Sequence, residues 1–182
     1  MEFKDIPLLD VALFISDYFT HQGIDIVLSG GACVSIYSEN SFISFDLDFV
    51  LLDYSQRKRI KGLFERIGFL PEGRHFRHPD TPFIVEFLAP PLSVGEEPVN
   101  QIKTIQKKGH SLRLLSPTDC VKDRLAAYFH WNDRPSLEQA VLVCLYQKVN
   151  FKELKRWGKS EEMMDKYVLF YQEYMRAKGE IG

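Results

Sequence analysis

The sequence predicts an α+β protein. A mixed sheet flanked by helices occupies residues 1–115, and a C-terminal helical bundle over residues 116–182 packs against it. Three observations carry this expectation. Apolar runs of strand length stand at Ile24–Leu28, Phe45–Leu52 and Phe83–Leu88, with helix-permissive chain between the first two. From Ser116 onward the signals are those of helix starts, one after another. No Gly- or Ser-rich linker separates the two halves, so they are expected to pack as one unit.

Taken in order, Ile6–His21 places apolar residues at helical spacing (Leu8, Leu9, Ala12, Leu13, Ile15, Phe19), and Gly23 stops the helix. The strand at Ile24–Leu28 ends in Ser29, Gly30 and Gly31, and Ala32–Tyr37 begins a helix. Phe45–Leu52 follows as a strand. Asp53–Phe64 reads as a helix capped by Asp53 or Ser55, with Arg57, Lys58, Arg59 and Lys61 on a solvated face. Gly73–Pro79 and Thr81–Leu88 read as strands parted by a Pro79-Asp80 turn. Ala89–Asn100 is a connection, and Ser111–Leu115 is a last short strand. Four helices then fill residues 117–178. Ser116-Pro117-Thr118-Asp119, Ser136-Leu137-Glu138-Gln139 and Asn150-Phe151-Lys152-Glu153 each carry a capping pattern, and Ser160-Glu161-Glu162 opens the fourth helix.

Composition sets the bounds. With 182 residues, 45% apolar and 26% charged, the chain can bury a sizeable core. A net charge of −2 confers no general affinity for nucleic acid. Cys33, Cys120 and Cys144 are odd in number and widely spaced, which reads as reduced core thiols and not as a disulfide frame or zinc site. The start Met-Glu-Phe-Lys-Asp is unlike a secretory leader, and no stretch reaches the roughly 20 apolar residues of a membrane span. A cytoplasmic protein with no membrane partner is expected.

Two stretches carry chemistry. The paired glycines let the chain turn sharply and leave backbone N–H groups uncovered at a helix start, a cradle for phosphate. In the next strand Asp46 and Asp48 stand two residues apart, on one side and roughly 7 Å from each other along the chain. Carboxylates in an apolar strand are costly unless partnered. A hard cation such as Mg²⁺ removes that cost and binds triphosphate oxygens as well. Glu86, alone among Phe83, Ile84, Val85, Phe87 and Leu88, also needs a partner; a salt bridge to Arg74 or Arg77 is the plain alternative.

Gly-Gly followed by Asp-x-Asp on the next strand, with 16 residues from Gly30 to Asp46, resembles the nucleotidyltransferase superfamily of the DNA polymerase beta type. More narrowly it is similar to a bacterial branch close to the abortive-infection toxin nucleotidyltransferases. The wording Ser116-Pro-Thr-Asp-Cys-Val-Lys-Asp-Arg124 and His130-Trp-Asn-Asp-Arg134 belongs to the same resemblance. It implies a nucleotidyltransferase-like sheet with Ser29, Gly30, Gly31 and Ser44 at the nucleotide. It implies Asp46, Asp48 and Glu86 as catalytic ligands of Mg²⁺ or Mn²⁺. Glu86 would also receive the acceptor's proton, and Lys122 would touch the triphosphate, with an ion pair to Asp119 or Asp123 as its alternative. One departure stands out: relatives often carry Arg-x-Thr before the first Asp, where this chain has Phe42-Ile43-Ser44.

The function so implied is metal-dependent transfer of a nucleoside monophosphate from a nucleoside triphosphate to an acceptor: an RNA end, a protein hydroxyl or a small molecule. The missing arginine favours a second reading, a degenerate binding or regulatory module that pairs with an antitoxin. A phosphohydrolase is the third, since Asp-x-Asp also opens phosphatase motifs. Against it, the acids lie inside the strand, after a Gly-Gly turn. His130 and Trp131 read as packing and capping groups.

Overall fold

Residues 3–181 are described in this computed structural model; Met1, Glu2 and Gly182, at the outer ends of the two expected segments, lie outside them. The helices are α1 (Leu8–His21), α2 (Gly30–Tyr37), α3 (Arg57–Glu65), α4 (Pro117–Trp131), α5 (Arg134–Tyr146), α6 (Phe151–Ser160) and α7 (Met164–Ile181). The strands are β1 (Ile26–Ser29), β2 (Asp46–Leu51), β3 (Leu70–Glu72), β4 (His75–Arg77), β5 (Ile84–Leu88), β6 (Ser93–Val94), β7 (Glu97–Pro98), β8 (Ile102–Lys107) and β9 (His110–Leu115).

Seven strands form one mixed sheet in the order β3-β4-β5-β2-β1-β9-β8, and β6 with β7 makes a separate hairpin. β2 lies at the centre, antiparallel to β1 and parallel to β5. Its side chains alternate as a pleated strand requires. Leu47, Phe49 and Leu51 are fully buried on one face. Phe19 of α1 and Phe64 of α3 both pack on Phe87 there, with ring centroids 5.1 Å apart in each case. The opposite face carries Asp46 and Asp48. One continuous hydrophobic core takes in these strands together with Val121, Leu125 and Phe129 of α4, Leu137 of α5 and Trp157 of α6. The C-terminal helices are thus packed against the sheet unit, α4 and α5 both meeting α2.

Local chemistry explains most boundaries. Gly23 and Gly30 take φ of +70° and +67°, values that favour glycine, at the end of α1 and the start of α2. Asp53 accepts hydrogen bonds from the Ser55 backbone N–H (2.9 Å) and hydroxyl (2.8 Å), as expected of a cap. The first turn it starts, Tyr54–Gln56, is a tighter 3₁₀ turn that leads into α3. Ser116 accepts from the Asp119 N–H at 3.1 Å with Pro117 at the first helical position, and Asn150 accepts from the Glu153 N–H at 3.1 Å.

Two of the expected caps are corrected. Ser136 lies inside α5, which starts two residues earlier at Arg134, behind Asp133, and its hydroxyl donates to the Asp133 carboxylate. Ser160 closes α6, donating to Trp157 O at 2.8 Å, and α7 starts at Met164. The stretch expected as a bare connection holds the β6–β7 hairpin, and β8 is an added strand. Cys33, Cys120 and Cys144 are free and buried. Burial raises the Cys33 and Cys144 thiols above their usual range and so keeps them from reacting. Among the described residues no helix is long and apolar enough to cross a membrane.

Candidate active site

The register of β2 sets the site. Asp48 lies opposite Ser29 of β1 on one side and opposite Glu86 of β5 on the other, and Asp46 lies opposite Ile84. Asp46, Asp48 and Glu86 therefore open onto one face. They line a cavity of about 270 Å³ whose other walls are Arg74, His75 and Ile84.

The glycine turn touches this site directly. A Cβ on Gly30 would stand 2.6 Å from Asp48 Oδ2, and one on Gly31 would stand 3.2 Å from Ser44 Oγ. Ser29 donates its hydroxyl to Asp48 O at 3.2 Å. Ser44 is buried; its hydroxyl donates to Asp46 O (3.1 Å) and accepts from the Asp46 N–H (3.2 Å). The Ser44 N–H is held in turn by Ser35 Oγ at 2.8 Å. These serines fix the backbone at both aspartates.

Gly30→Ala is expected to expel Asp48 from its position and to lower stability. The left-handed φ alone costs roughly 1–2 kcal/mol for an L side chain, and the methyl group collides with the carboxylate as well. Gly23→Ala separates the two effects, because Gly23 has a similar φ of +70° with nothing within 4 Å of an added Cβ. Melting temperatures of the two variants should differ, with Gly30→Ala the lower; equal values would remove the contact from consideration.

The electrostatics are those of crowded carboxylates. The Asp48 carboxyl is pushed up to about 6, first by burial, then by the neighbouring charges of Asp46 and Glu86; Arg124 works in the opposite direction and Asp123 adds slightly. Glu86 is drawn sideways. Its Oε1 lies 3.3 Å from Arg74 Nε and its Oε2 lies 3.2 Å from His75 Nε2. Of the two arginines considered as its partner, Arg74 is the one engaged, while Arg77 pairs with Glu72 at 2.5 Å. Among the described residues no group of three or more His, Cys, Asp or Glu side chains is gathered to hold a metal ion. The donor set itself, three carboxylates, is the one that hard divalent cations prefer.

Lys122 lies apart from this group. It is buried, and its ammonium is 2.7 Å from Glu153, 3.7 Å from Glu97 and 3.9 Å from Asp119. Arg124, two residues on, takes another side of α4, donates to Asp123 at 2.6 Å and lies near enough to influence Asp48. Sequence reasoning passed over Arg124, which sits in an ordinary run of helix charges. His75 was missed as well; only its pairing opposite Glu86 in the β4–β5 ladder reveals it. His130 bonds Glu161 at 3.0 Å and Trp131 is exposed, neither of them at the acids.

No protein-family model matches the chain, and no curated protein gives a significant match. Solved structures do match. The chain is similar to an antigenic nucleotidyltransferase-like protein from Paracoccidioides brasiliensis, with a TM-score of 0.58 at 16% identity over 75% of this chain and 74% of that one. It is similar to the lincomycin-bound lincosamide antibiotic adenylyltransferase LnuA, with a TM-score of 0.54 at 17% identity over 76% of this chain and 98% of that one. The antibiotic-resistance factor ANT(2'')-Ia matches with a TM-score of 0.50 at 12% identity over 96% of this chain and 98% of that one. A glycine turn pressed against Asp48 of the central strand, in a chain whose structure is similar to those of these three proteins, leads to one conclusion: the chain has the nucleotidyltransferase fold.

Proposed function

We propose that the protein transfers a nucleoside monophosphate from a nucleoside triphosphate to an acceptor hydroxyl. The observation that carries this is the close approach of the Gly30 backbone to the Asp48 carboxylate, which itself shares a cavity with Asp46 and Glu86. The Gly30–Gly31 turn and Ser29 offer backbone N–H groups and a hydroxyl to phosphate oxygens at the start of α2. Asp46, Asp48 and Glu86 would hold Mg²⁺, or Mn²⁺ in its place. When bound, such an ion neutralises the phosphate oxygens and the crowded carboxylates together. Glu86, freed from Arg74, accepts the proton of the attacking hydroxyl. The new bond joins the acceptor oxygen to the α-phosphorus, and the bond to pyrophosphate breaks. The Arg124 charge works against the rise of the Asp48 carboxyl, which burial, Asp46 and Glu86 cause. Catalysis of this kind is mostly alignment and charge neutralisation, which these groups supply. The buried, free thiols suit work in the cytoplasm.

A second reading is favoured by one observation: the Glu86 carboxylate is already paired with Arg74, whose Nε also donates to His75 Nε2. It is a binding or regulatory module with weak transfer or none, an antitoxin being its partner. Labelled nucleotide transfer to cell extract, with all four ribonucleotides, separates the two. Wild type should label an acceptor and Asp48→Asn should not. Equal labelling by both removes the transferase; labelling by neither leaves the binding module.

A further inference from the structure

We infer that the acceptor carries a phosphate group close to its reacting hydroxyl, and that Arg74, with His75 beside it, receives that phosphate. The inference rests on the transferase reading above and names its acceptor class. The sheet order decides which side of the aspartates the acceptor takes. β1, with the Gly30–Gly31 turn at its end, lies on one side of β2, while β5 and then β4 lie on the other. Neighbouring strands are about 4.8 Å apart. A triphosphate seated on the glycine turn thus leaves the β5–β4 side, with Glu86, for the attacking hydroxyl.

That side is basic. Arg74 side-chain exposure is 74%, and only its Nε is engaged, by Glu86 Oε1 at 3.3 Å and His75 Nε2 at 3.3 Å. Its two terminal nitrogens have no hydrogen-bond partner among the described residues, whereas Arg77 is committed to Glu72. A free guanidinium fork matches two phosphate oxygens at once. The cavity that joins Arg74 and His75 to the three acids has one further wall, the side chain of Ile84. A polycationic acceptor would meet the fork as a like charge at the entrance, which works against it. A phosphate on the acceptor has a second effect: by drawing Arg74 to itself it releases Glu86 Oε1, so the residue that must take the proton is freed only when the correct acceptor arrives. The chemistry, a hydroxyl near a phosphodiester or phosphomonoester, is common to an RNA 3′ end and a sugar phosphate.

The test is calorimetric binding to the full chain with Mg²⁺ and a nonhydrolysable nucleoside triphosphate. The probes are ribose 5-phosphate, ribose and a five-residue oligoribonucleotide with a free 3′ hydroxyl. At least one phosphorylated probe should bind roughly tenfold or more tightly than ribose, as a charge-assisted bidentate contact provides, and whichever binds better identifies the source. Arg74→Ala should abolish that preference and leave the affinity for the triphosphate analogue unchanged, and Arg74→Lys should restore part of it. Equal binding of all three probes overturns the inference, as does an Arg74→Ala variant that loses the triphosphate analogue instead. A wild-type protein that ignores the triphosphate analogue but keeps an Arg74-dependent preference for phosphate probes overturns the transferase reading and leaves the phosphate site standing.

Discussion

Asp48→Asn should melt about 5 °C above the wild type at pH 8 in the absence of divalent ions, and the two proteins should melt together near pH 3.5. The cause is the raised Asp48 carboxyl, about 6 in the folded chain against an ordinary 3.8. A carboxyl raised by folding binds its proton more tightly in the folded state. Its stabilising contribution is therefore complete below the ordinary value and is lost as the pH climbs from about 4 to about 6. A shift of that size corresponds to at most about 3 kcal/mol, less a discount because solvent still reaches the half-buried group. Each kcal/mol is worth roughly 2–4 °C in a domain of this length. Asparagine keeps the shape and removes the charge, so the variant escapes the penalty. Millimolar Mg²⁺ with a nucleoside triphosphate should reverse the order, since only the wild type has the charge that gains from the ion. A variant less stable than wild type at both pH values would show that Asp48 is not strained by its neighbours.

Lys122→Ala is expected to lower the melting temperature by about 5–8 °C without changing nucleotide affinity. The resemblance assigns this lysine to the triphosphate, but its ammonium is spent on Glu153, Glu97 and Asp119, and its side chain is 8% exposed. Removing a buried cation leaves its carboxylates facing one another, a loss of several kcal/mol in a fully buried cluster. Here the acids are partly hydrated and Arg156 still binds Glu153 and Glu97, each at 2.6 Å, which brings the cost to about 2–3 kcal/mol. Arg156 and then Lys122 hold the Glu153 carboxyl down at about 2. Lys122→Met retains the apolar stem and so isolates the charge. Weaker binding of a nucleoside triphosphate with an unchanged melting temperature would return Lys122 to the nucleotide.

The acid pair and the glycine turn were legible because each breaks a local rule. Asp46 and Asp48 interrupt an apolar strand, and Gly30 with Gly31 ends another; nothing in strand or helix propensity accounts for either. Glu86 stood out for the same reason. The missed features obey local rules instead. β8, Ile-Lys-Thr-Ile-Gln-Lys, is an edge strand whose side chains are half-buried or exposed, so it lacks the apolar alternation that marks a strand. Ser136 fits a capping pattern yet follows Asp133, Arg134 and Pro135, which start the helix first. Arg124 and Lys122 read alike in the sequence. Only the packing of α4 against β9 on one side and against α6 and β6 on another commits Lys122 to Glu153 and Glu97 and leaves Arg124 with Asp123 and Gln139. His75 gains its meaning from a partner eleven positions away across a hairpin.

The parallel ladder between β2 and β5 has a consequence for which changes of chain length a descendant of this sequence could inherit. Asp48 faces Glu86 while Phe49 faces Phe87, and the faces alternate at every step. One residue inserted between Ile84 and Glu86 would turn Glu86 toward the packed phenylalanines and bring an apolar side chain out beside the aspartates. The same insertion between His78 and Pro82 lies outside both strands and would be taken up by the loop. Lineages should therefore vary freely in length at that loop and hold the count within β5 constant, so that β5 keeps time for the site as a gap-free stretch between permissive borders.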